Sequence, residues 1–365
     1  MIKRLVCSRG YHRGAVLLLS LLLLACTSGG RSGGAASTTG AAAGSQGAGS
    51  AGTVPAAPNA REPLKIAITF ISAETLPVWA AQELGLFEKY GLQAEVVSIL
   101  TGAQAPPAMA AGDVHLALMT GLAVVEYDLV GGDLVVVAGY SNEMRYFLHA
   151  RPEIRRIEDL RGQRIGITRR GAGIDMATRI FLERAGLSYE RDATIIQLGT
   201  ARDQINGLVA GAVDAAVVAV PTNFQAERLG FPKVADTKQY HVPFPTNVLA
   251  VRRDFLASRS EAVRRYLQAH IEAVEILRRD KALAKRLLAQ GTSTDDDEIL
   301  ERSYQLFVED LQDVPYPAEA ALQGVLDLVA LERPEARAAD PRAFYDDRLV
   351  RELDQSGFIR GLRGS

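Results

Sequence analysis

Short apolar runs alternate with stretches of helical period from about residue 64 to residue 251, and helical period alone continues beyond. The pattern predicts strands over 64–70, 94–99, 116–119 and 135–140, with helices over 78–90, 105–111 and 121–129 between them. A second series follows Arg151-Pro152: strands over 164–168, 194–197, 215–220 and near Val234, with helices over 175–185, 201–210 and 223–229. Strands separated by helices need crossovers, and crossovers favour parallel pairing, so the class is α/β. One more strand over 248–251 leads into helices over 260–279, 281–290, 295–310 and 318–330 and a tail over 341–358.

The two series share a detail. Ala111-Gly112-Asp113-Val114-His115-Leu116-Ala117 and Ala210-Gly211-Ala212-Val213-Asp214-Ala215-Ala216 align as small-Gly-x-Val-polar-apolar-Ala. Two similar lobes follow, one over 62–149 and 247–365 and the other over 150–246, each a mostly parallel sheet flanked by helices. The chain would cross at 146–151 and at 245–252, so that two strands form a hinge. A cleft between two lobes is a preferred place for a small ligand.

Upstream the composition changes. Residues 1–25 carry Lys3, Arg4, Arg9 and Arg13 with no acid, and an apolar run from Ala15 to Ala25 ends at Cys26. This reads as a secretory signal, since the run falls short of the roughly 20 apolar residues a membrane span needs. Residues 26–61 are almost wholly Gly, Ala, Ser, Thr and Pro and cannot build a core, so they read as a flexible tether. The remainder is mildly acidic, which places nucleic acid and anionic membranes low among partners. Cys7 and Cys26 are the only cysteines and five histidines are scattered, so the body has no disulfide, zinc-thiolate or cysteine-nucleophile chemistry. No cofactor and no metal is expected. The run Asp295-Asp296-Asp297-Glu298 reads as a helix start, with Thr294 as cap and Asp297 completing the capping pattern, and lacks the spacing of a calcium loop.

Several strings resemble the periplasmic substrate-binding proteins of ABC importers, in the branch that serves sulfonates, nitrate, taurine and thiamine-pyrimidine precursors. They are the string from Pro77-Val78-Trp79 to Tyr90-Gly91-Leu92, Ile157-Glu158-Asp159-Leu160-Arg161-Gly162 and Gly211-Ala212-Val213-Asp214. Phe344-Tyr345-Asp346-Asp347 through Ser356-Gly357-Phe358 completes the set. The resemblance implies a two-lobe periplasmic-binding-protein fold of type II and a lipid-anchored binding protein. Leu23-Leu24-Ala25-Cys26 is similar to a bacterial lipobox, with Cys26 lipidated. Such a protein acts outside the cytoplasmic membrane or in the periplasm, as a monomer. It captures a small solute (a sulfonate, nitrate, a carboxylate or a pyrimidine-like ring) and delivers it to permease subunits. The fold also admits a pyrimidine-precursor enzyme and a sensory module, but the cysteine-free body sets aside the iron-dependent enzyme, and the expectation is a non-enzyme. Two departures from the family stand out. His115 replaces the usual Asp, and Arg169-Arg170 replace small polar residues, which biases the cleft toward an anion.

In such folds ligands lie at strand carboxyl ends, where helix N-termini present free N–H groups. The candidates after the first strand are Ser72, Thr75, Leu76, Pro77 and Trp79, the last serving either as core or as an aromatic wall. Gly102, Thr120 and Gly121 follow the next two strands and allow close backbone approach. In the second series Gly171, Ala172 and Gly173 open a helix that fits an anion better than a dinucleotide, because Met176 takes the third glycine's place. Pro221 and Asn223 repeat that geometry, and Arg145, Tyr146 and Asn247 lie beside the crossings. Arg145 suits either a carboxylate or sulfonate ligand or a surface ion pair.

Overall fold

The computed structural model describes residues 61–99 and 104–364. The expected signal, tether, lipidated Cys26 and Gly102 lie outside the described residues. Strands occupy β1 (Glu62–Ile68), β2 (Leu92–Ser98), β3 (Leu116–Met119), β4 (Leu134–Glu143), β5 (Phe147–Ala150), β6 (Arg164–Ile167), β7 (Thr194–Gln197), β8 (Ala215–Val218), β9 (Lys233–Asp236) and β10 (Pro243–Arg252). The helices of the first half are α1 (Leu76–Glu83), α2 (Leu86–Lys89), α3 (Ala105–Ala111), α4 (Gly121–Asp128), α5 (Gly173–Arg184), α6 (Ala201–Val209) and α7 (Thr222–Arg228). Those of the second are α8 (Arg253–Ser258), α9 (Ser260–Arg279), α10 (Lys281–Thr292), α11 (Asp297–Asp310), α12 (Glu319–Val329), α13 (Arg348–Gln355) and α14 (Phe358–Gly364).

Two five-stranded sheets result, ordered β2-β1-β3-β10-β4 and β7-β6-β8-β5-β9. In the first, β1 pairs parallel with β2 and β3, and β10 runs antiparallel to β3 and β4. The second repeats this, with β6 parallel to β7 and β8, and β5 antiparallel to β8 and β9. Both sheets are therefore mixed. The antiparallel member of each is the strand that has just arrived from the other sheet.

Both crossings fall earlier than the apolar pattern predicts. Residues 147–150, expected at the end of the first lobe, pair in the second sheet, so the outward crossing is Met144–Tyr146 rather than 146–151. The return crossing, expected over 245–252, is complete by Pro243, where β10 already pairs with Glu143 of β4. Phe147-Leu148-His149-Ala150 is buried on both faces and so shows no alternation that would mark it as a strand. The single helix expected over 78–90 is two, because Gly85 adopts a left-handed φ of 66° between α1 and α2. The acidic run does begin a helix, but Asp296 is the cap: its Oδ1 accepts from the N–H groups of Glu298 (3.1 Å) and Ile299 (3.2 Å).

The first sheet is covered on both sides. Leu64, Ile66 and Ile68 alternate along β1 toward Val78, Tyr266 and Leu267 of α1 and α9, while Ala67, Ala117 and Ala250 meet Met109 and Val124 on the other face. In the second sheet Leu148, Ile165 and Val217 pack on Ala177 and Phe181, and Phe147 and Val218 on Leu208. The repeated string places an equivalent bond in each sheet. Asp214 Oδ2 accepts the N–H of Arg164 (3.0 Å) at the start of β6, and His115 Nδ1 accepts that of Lys65 (3.0 Å) in β1. His115 thus does the backbone-anchoring work of the aspartate, as a neutral ring, and stacks on Phe255 at 5.0 Å.

Trp79 turns into the core rather than the cleft, its ring lying on the backbone of Gly291 in α10. A Cβ at Gly291 would stand 2.2 Å from ring carbons. Gly291→Ala is expected to destabilise the fold by about 1–3 kcal/mol through overpacking. Denaturant unfolding followed by the fluorescence of Trp79, the only tryptophan, measures this; an unchanged midpoint would show that the ring shifts freely.

Candidate functional site

The carboxyl ends of the parallel strands in both sheets face one cleft of about 1380 Å³. That exceeds the roughly 300–1,000 Å³ of an ordinary ligand pocket, as an open two-lobe arrangement does. Helix starts line it: Ser72–Glu74 and Pro77 before and within α1, Thr120 before α4, Gly171–Ile174 around the start of α5, and Thr200–Ala201 at α6. Each start is locally capped. Ser72 accepts from the N–H of Glu74 (3.2 Å), Thr120 from that of Ala123 (3.4 Å) and Thr200 from that of Asp203 (3.2 Å). The α5 loop is fixed differently, since the fully buried Asp175 accepts from the N–H of Gly171 (2.9 Å) and from the Tyr189 hydroxyl.

Of the sequence candidates, the cleft brings together Ser72, Pro77, Thr120, Arg145, Tyr146, Gly171, Ala172, Gly173, Pro221 and Asn247. The Tyr146 hydroxyl lies so close over Gly173 that a Cβ there would stand 2.4 Å from it. Others take structural places. Thr75 is buried, with its hydroxyl donating to the Ser72 carbonyl (2.7 Å), and Leu76 belongs to the core. Gly121 is pressed against Pro245, and Asn223 is 1% exposed without lining the cleft. Phe224 is likewise buried, so of the aromatic wall expected from Trp79, Tyr146 and Phe224, only Tyr146 lines the cleft.

Arg145 is not free. It donates to Asp310 Oδ1 at 2.9 Å, with Glu309 at 3.7 Å and Asp236 at 3.9 Å, and Lys238 adds pairs to Glu309 (2.6 Å) and Asp310 (2.9 Å). This knot ties the two crossings to the end of α11. The second lobe adds Arg169, Arg170 and Arg202 to the cleft lining. Among the described residues neither Arg169 nor Arg202 makes an ion pair within 4.0 Å, whereas Arg170 is held by Glu190.

Glu74 in the loop after β1 and Thr246 beside the second crossing, both marked by the sequence, meet Ser141 of β4, which the motifs passed over. Thr246 donates to Glu74 Oε1 at 3.3 Å and lies 2.7 Å from Ser141 Oγ. The β10 pairing is irregular between Pro243 and Val248, and that irregularity turns Thr246 and Asn247 inward. Half-buried Glu74 has its carboxyl pKa pushed up to about 7, first by desolvation and further by Asp310, against hydrogen bonds from Ser141 and Thr246. His270 stacks on Tyr140 at 3.8 Å, and burial pushes its pKa down to about 3, so it is neutral.

This arrangement is the periplasmic-binding-protein fold, with the cleft beside its two crossings. Residues 59–291 match the model of the NMT1-like family, and the chain belongs to that family. The periplasmic aliphatic sulphonate binding protein SsuA of Escherichia coli superposes with a TM-score of 0.63 at 19% identity, over 78% of this chain and 91% of that one. The alkanesulfonate-binding protein SsuA of Xanthomonas axonopodis pv. citri, bound to MOPS, gives 0.64 at 18%, over 78% and 98%. The periplasmic nitrate-binding protein NrtA of Synechocystis PCC 6803 gives 0.67 at 15%, over 80% and 88%. These likenesses are of fold. None of the curated protein sequences matches the chain.

Two predictions separate structural from binding charges and fix the sign of the pH dependence. Arg145→Gln is expected to lose about 1–3 kcal/mol in urea unfolding, because it removes the cation paired with Asp236 and leaves Asp310 and Glu309 to Lys238 alone, while Arg169→Gln stays within about 0.5 kcal/mol; equal effects would overturn that division. Glu74 has a folded pKa of about 7 above its ordinary 4.5, so the native state holds more protons between these values. Its contribution to stability therefore falls as pH rises from 4.5 to 7, by at most about 3 kcal/mol. Comparing the unfolding of wild type and Glu74→Gln at pH 5 and pH 8 checks this: the variant gains relative stability at the higher pH.

Proposed function

We propose that the chain is the extracytoplasmic solute-binding component of an ABC importer, lipid-anchored through Cys26 on the tether of residues 26–61. The family match and the fold of the sulphonate- and nitrate-binding relatives support the importer role; Leu23-Leu24-Ala25-Cys26 supports the anchor. No helix among the described residues is long and apolar enough to cross a membrane. The lobes are assigned as 62–149 with 247–365 and as 150–246, apart from the shifted crossings.

The observation that carries the reading is the convergence of α1, α4, α5 and α6 on one cleft by their N-termini, beside Arg169 and Arg202. Each partly buried helix start favours an anion by up to about 2 kcal/mol. Phe70, Tyr127, Tyr140, Ile271, Val274 and Leu306 supply apolar walls around it. The solute is therefore a small organic anion with an apolar body. Ligand held by both lobes favours the closed arrangement, and that arrangement is the one presented to the permease.

The test is a thermal-shift screen of the purified chain against alkanesulfonates, carboxylates, nitrate and pyrimidines, followed by small-angle scattering with the best ligand. A ligand that binds only the folded state at about 100 times its Kd adds roughly 2.7 kcal/mol of stability. The expected result is a clear shift with an organic anion, a smaller radius of gyration in its presence, and a weaker shift for Arg169→Gln. No shift with any class, or a shift without compaction, would overturn the reading.

A further inference from the structure

The two lobes are joined in two different ways. Through α12 the join is apolar: Leu322, Val325 and Leu326 share one cluster with the crossing residues Met144 and Phe244 and with Leu148 and Phe181 of the second lobe. Through α11 it is mainly ionic. Arg228 of α7 pairs with Asp296 at the α11 cap, Glu227 of α7 with Arg302 at 2.7 Å, and Lys238 after β9 with Glu309 and Asp310 at 2.6 and 2.9 Å. Arg302 also lies over the Phe224 ring at 4.1 Å, and Leu306 packs on the smaller apolar cluster of the second sheet. The helix itself is fastened to the first lobe, where Lys285 of α10 holds Asp297 and Glu301 at 2.6 and 3.4 Å.

The overall charges point the same way. Residues 62–146 with 243–365 hold 21 basic and 32 acidic side chains, whereas residues 147–242 hold 14 and 11, so the lobes carry opposite net charge and attract. Beside α12 a further pair crosses between them, Arg179 of α5 with Glu332 at 2.9 Å. One exposed pair shifts an equilibrium by only about 1.4- to 5-fold. Pairs spaced along one helix act on the same motion, however, so their factors multiply. A polar join leaves two domains free to move where a large apolar one does not, and its strength falls as salt shortens the screening length from about 10 Å at 0.1 M to about 3 Å at 1 M.

We propose that α11 is an ionic strap: through its ion pairs with α7 and Lys238 it limits how far the lobes part while the cleft is empty, and the lobes swing about the apolar packing of α12 and the crossings. This goes beyond the solute-binding reading and holds whichever solute the cleft takes. Leu306, Phe307, Asp310 and Leu311 of the same helix line the cleft, so the strap stands at its edge. Glu227, Arg228 and Arg302 do not line it and act as positioning residues. A restrained cleft raises apparent affinity without touching the solute, because the fraction of the chain already near the bound arrangement sets that affinity.

The test is single-molecule FRET on the full chain without solute, with dyes at Val130→Cys and Val209→Cys and with Cys7 and Cys26 changed to Ser. Both dye positions are exposed and stand at the ends of α4 and α6 away from the cleft, one on each lobe. Raising NaCl from about 0.05 M to about 1 M is expected to increase the ratio of parted to strapped molecules at least about threefold. Arg302→Glu and Glu227→Arg each give a comparable rise at the lower salt, and the two exchanged together bring the ratio back to within about twofold of the parent chain. A merely structural α11 would lower the melting temperature of these variants without moving the ratio, and that result would overturn the strap. So would distances insensitive to salt, or a double exchange as parted as the single variants; the solute-binding reading would stand in each case. The salt comparison needs no charge variant and holds even where one of them folds poorly.

Discussion

The exchange of one strand between the two sheets is the constraint on which the rest depends. In each half the parallel set ends on a fully buried strand, β3 or β8, whose outer N–H and C=O groups would lie in the interior without partners. Buried backbone groups are almost always paired. The chain meets that need by sending β10 back onto β3 and sending β5 forward onto β8. The two crossings are thereby forced side by side, with the N–H of Met144 donating to the Val242 carbonyl at 3.0 Å. Because both sheets are built on the same order, their parallel strands point their carboxyl ends, and the following helix starts, into one space.

Charge then differentiates the two walls of that space. The hinge residue Arg145 is the cation nearest the first wall, and the acids of α11 and β9 hold it, so it stabilises the crossing instead of meeting solute. The second wall carries Arg169 and Arg202 beside the starts of α5 and α6, where dipole and side chain add. Glu74 sits opposite, in surroundings that penalise its ionised form. A cleft with one donor-rich and one acceptor-rich wall has an orientation, and an orientation is what lets a small site discriminate among solutes of similar size.

Much of this was legible along the chain. The alternation of short apolar runs with helical period located most of the strands, and the two Gly-x-Val strings marked the equivalent turns of the two halves, where His115 and Asp214 make the same backbone bond. Several of the polar loops that face the cleft were also visible, because they follow strands and open helices. The crossing strand Phe147–Ala150 was hidden because it is buried on both faces, and the break at Gly85 because a glycine within a helical pattern is often tolerated. Trp79 could not be assigned by sequence alone, since a lone tryptophan suits a core and a pocket wall equally; its fate was decided by Gly291, more than two hundred residues away.

What the sequence determined by itself is what depends on neighbours along the chain: most strand and helix periods, the repeated turn, and the family resemblance. The tertiary structure decided what depends on distant residues meeting. It tied Arg145 to acids of β9 and α11, brought Glu74 under Thr246 and Ser141, and buried Asn247 with its Nδ2 on the Glu74 backbone carbonyl. Local propensity acts over a few residues, whereas desolvation and ion pairing depend on which surfaces the strand exchange brings together.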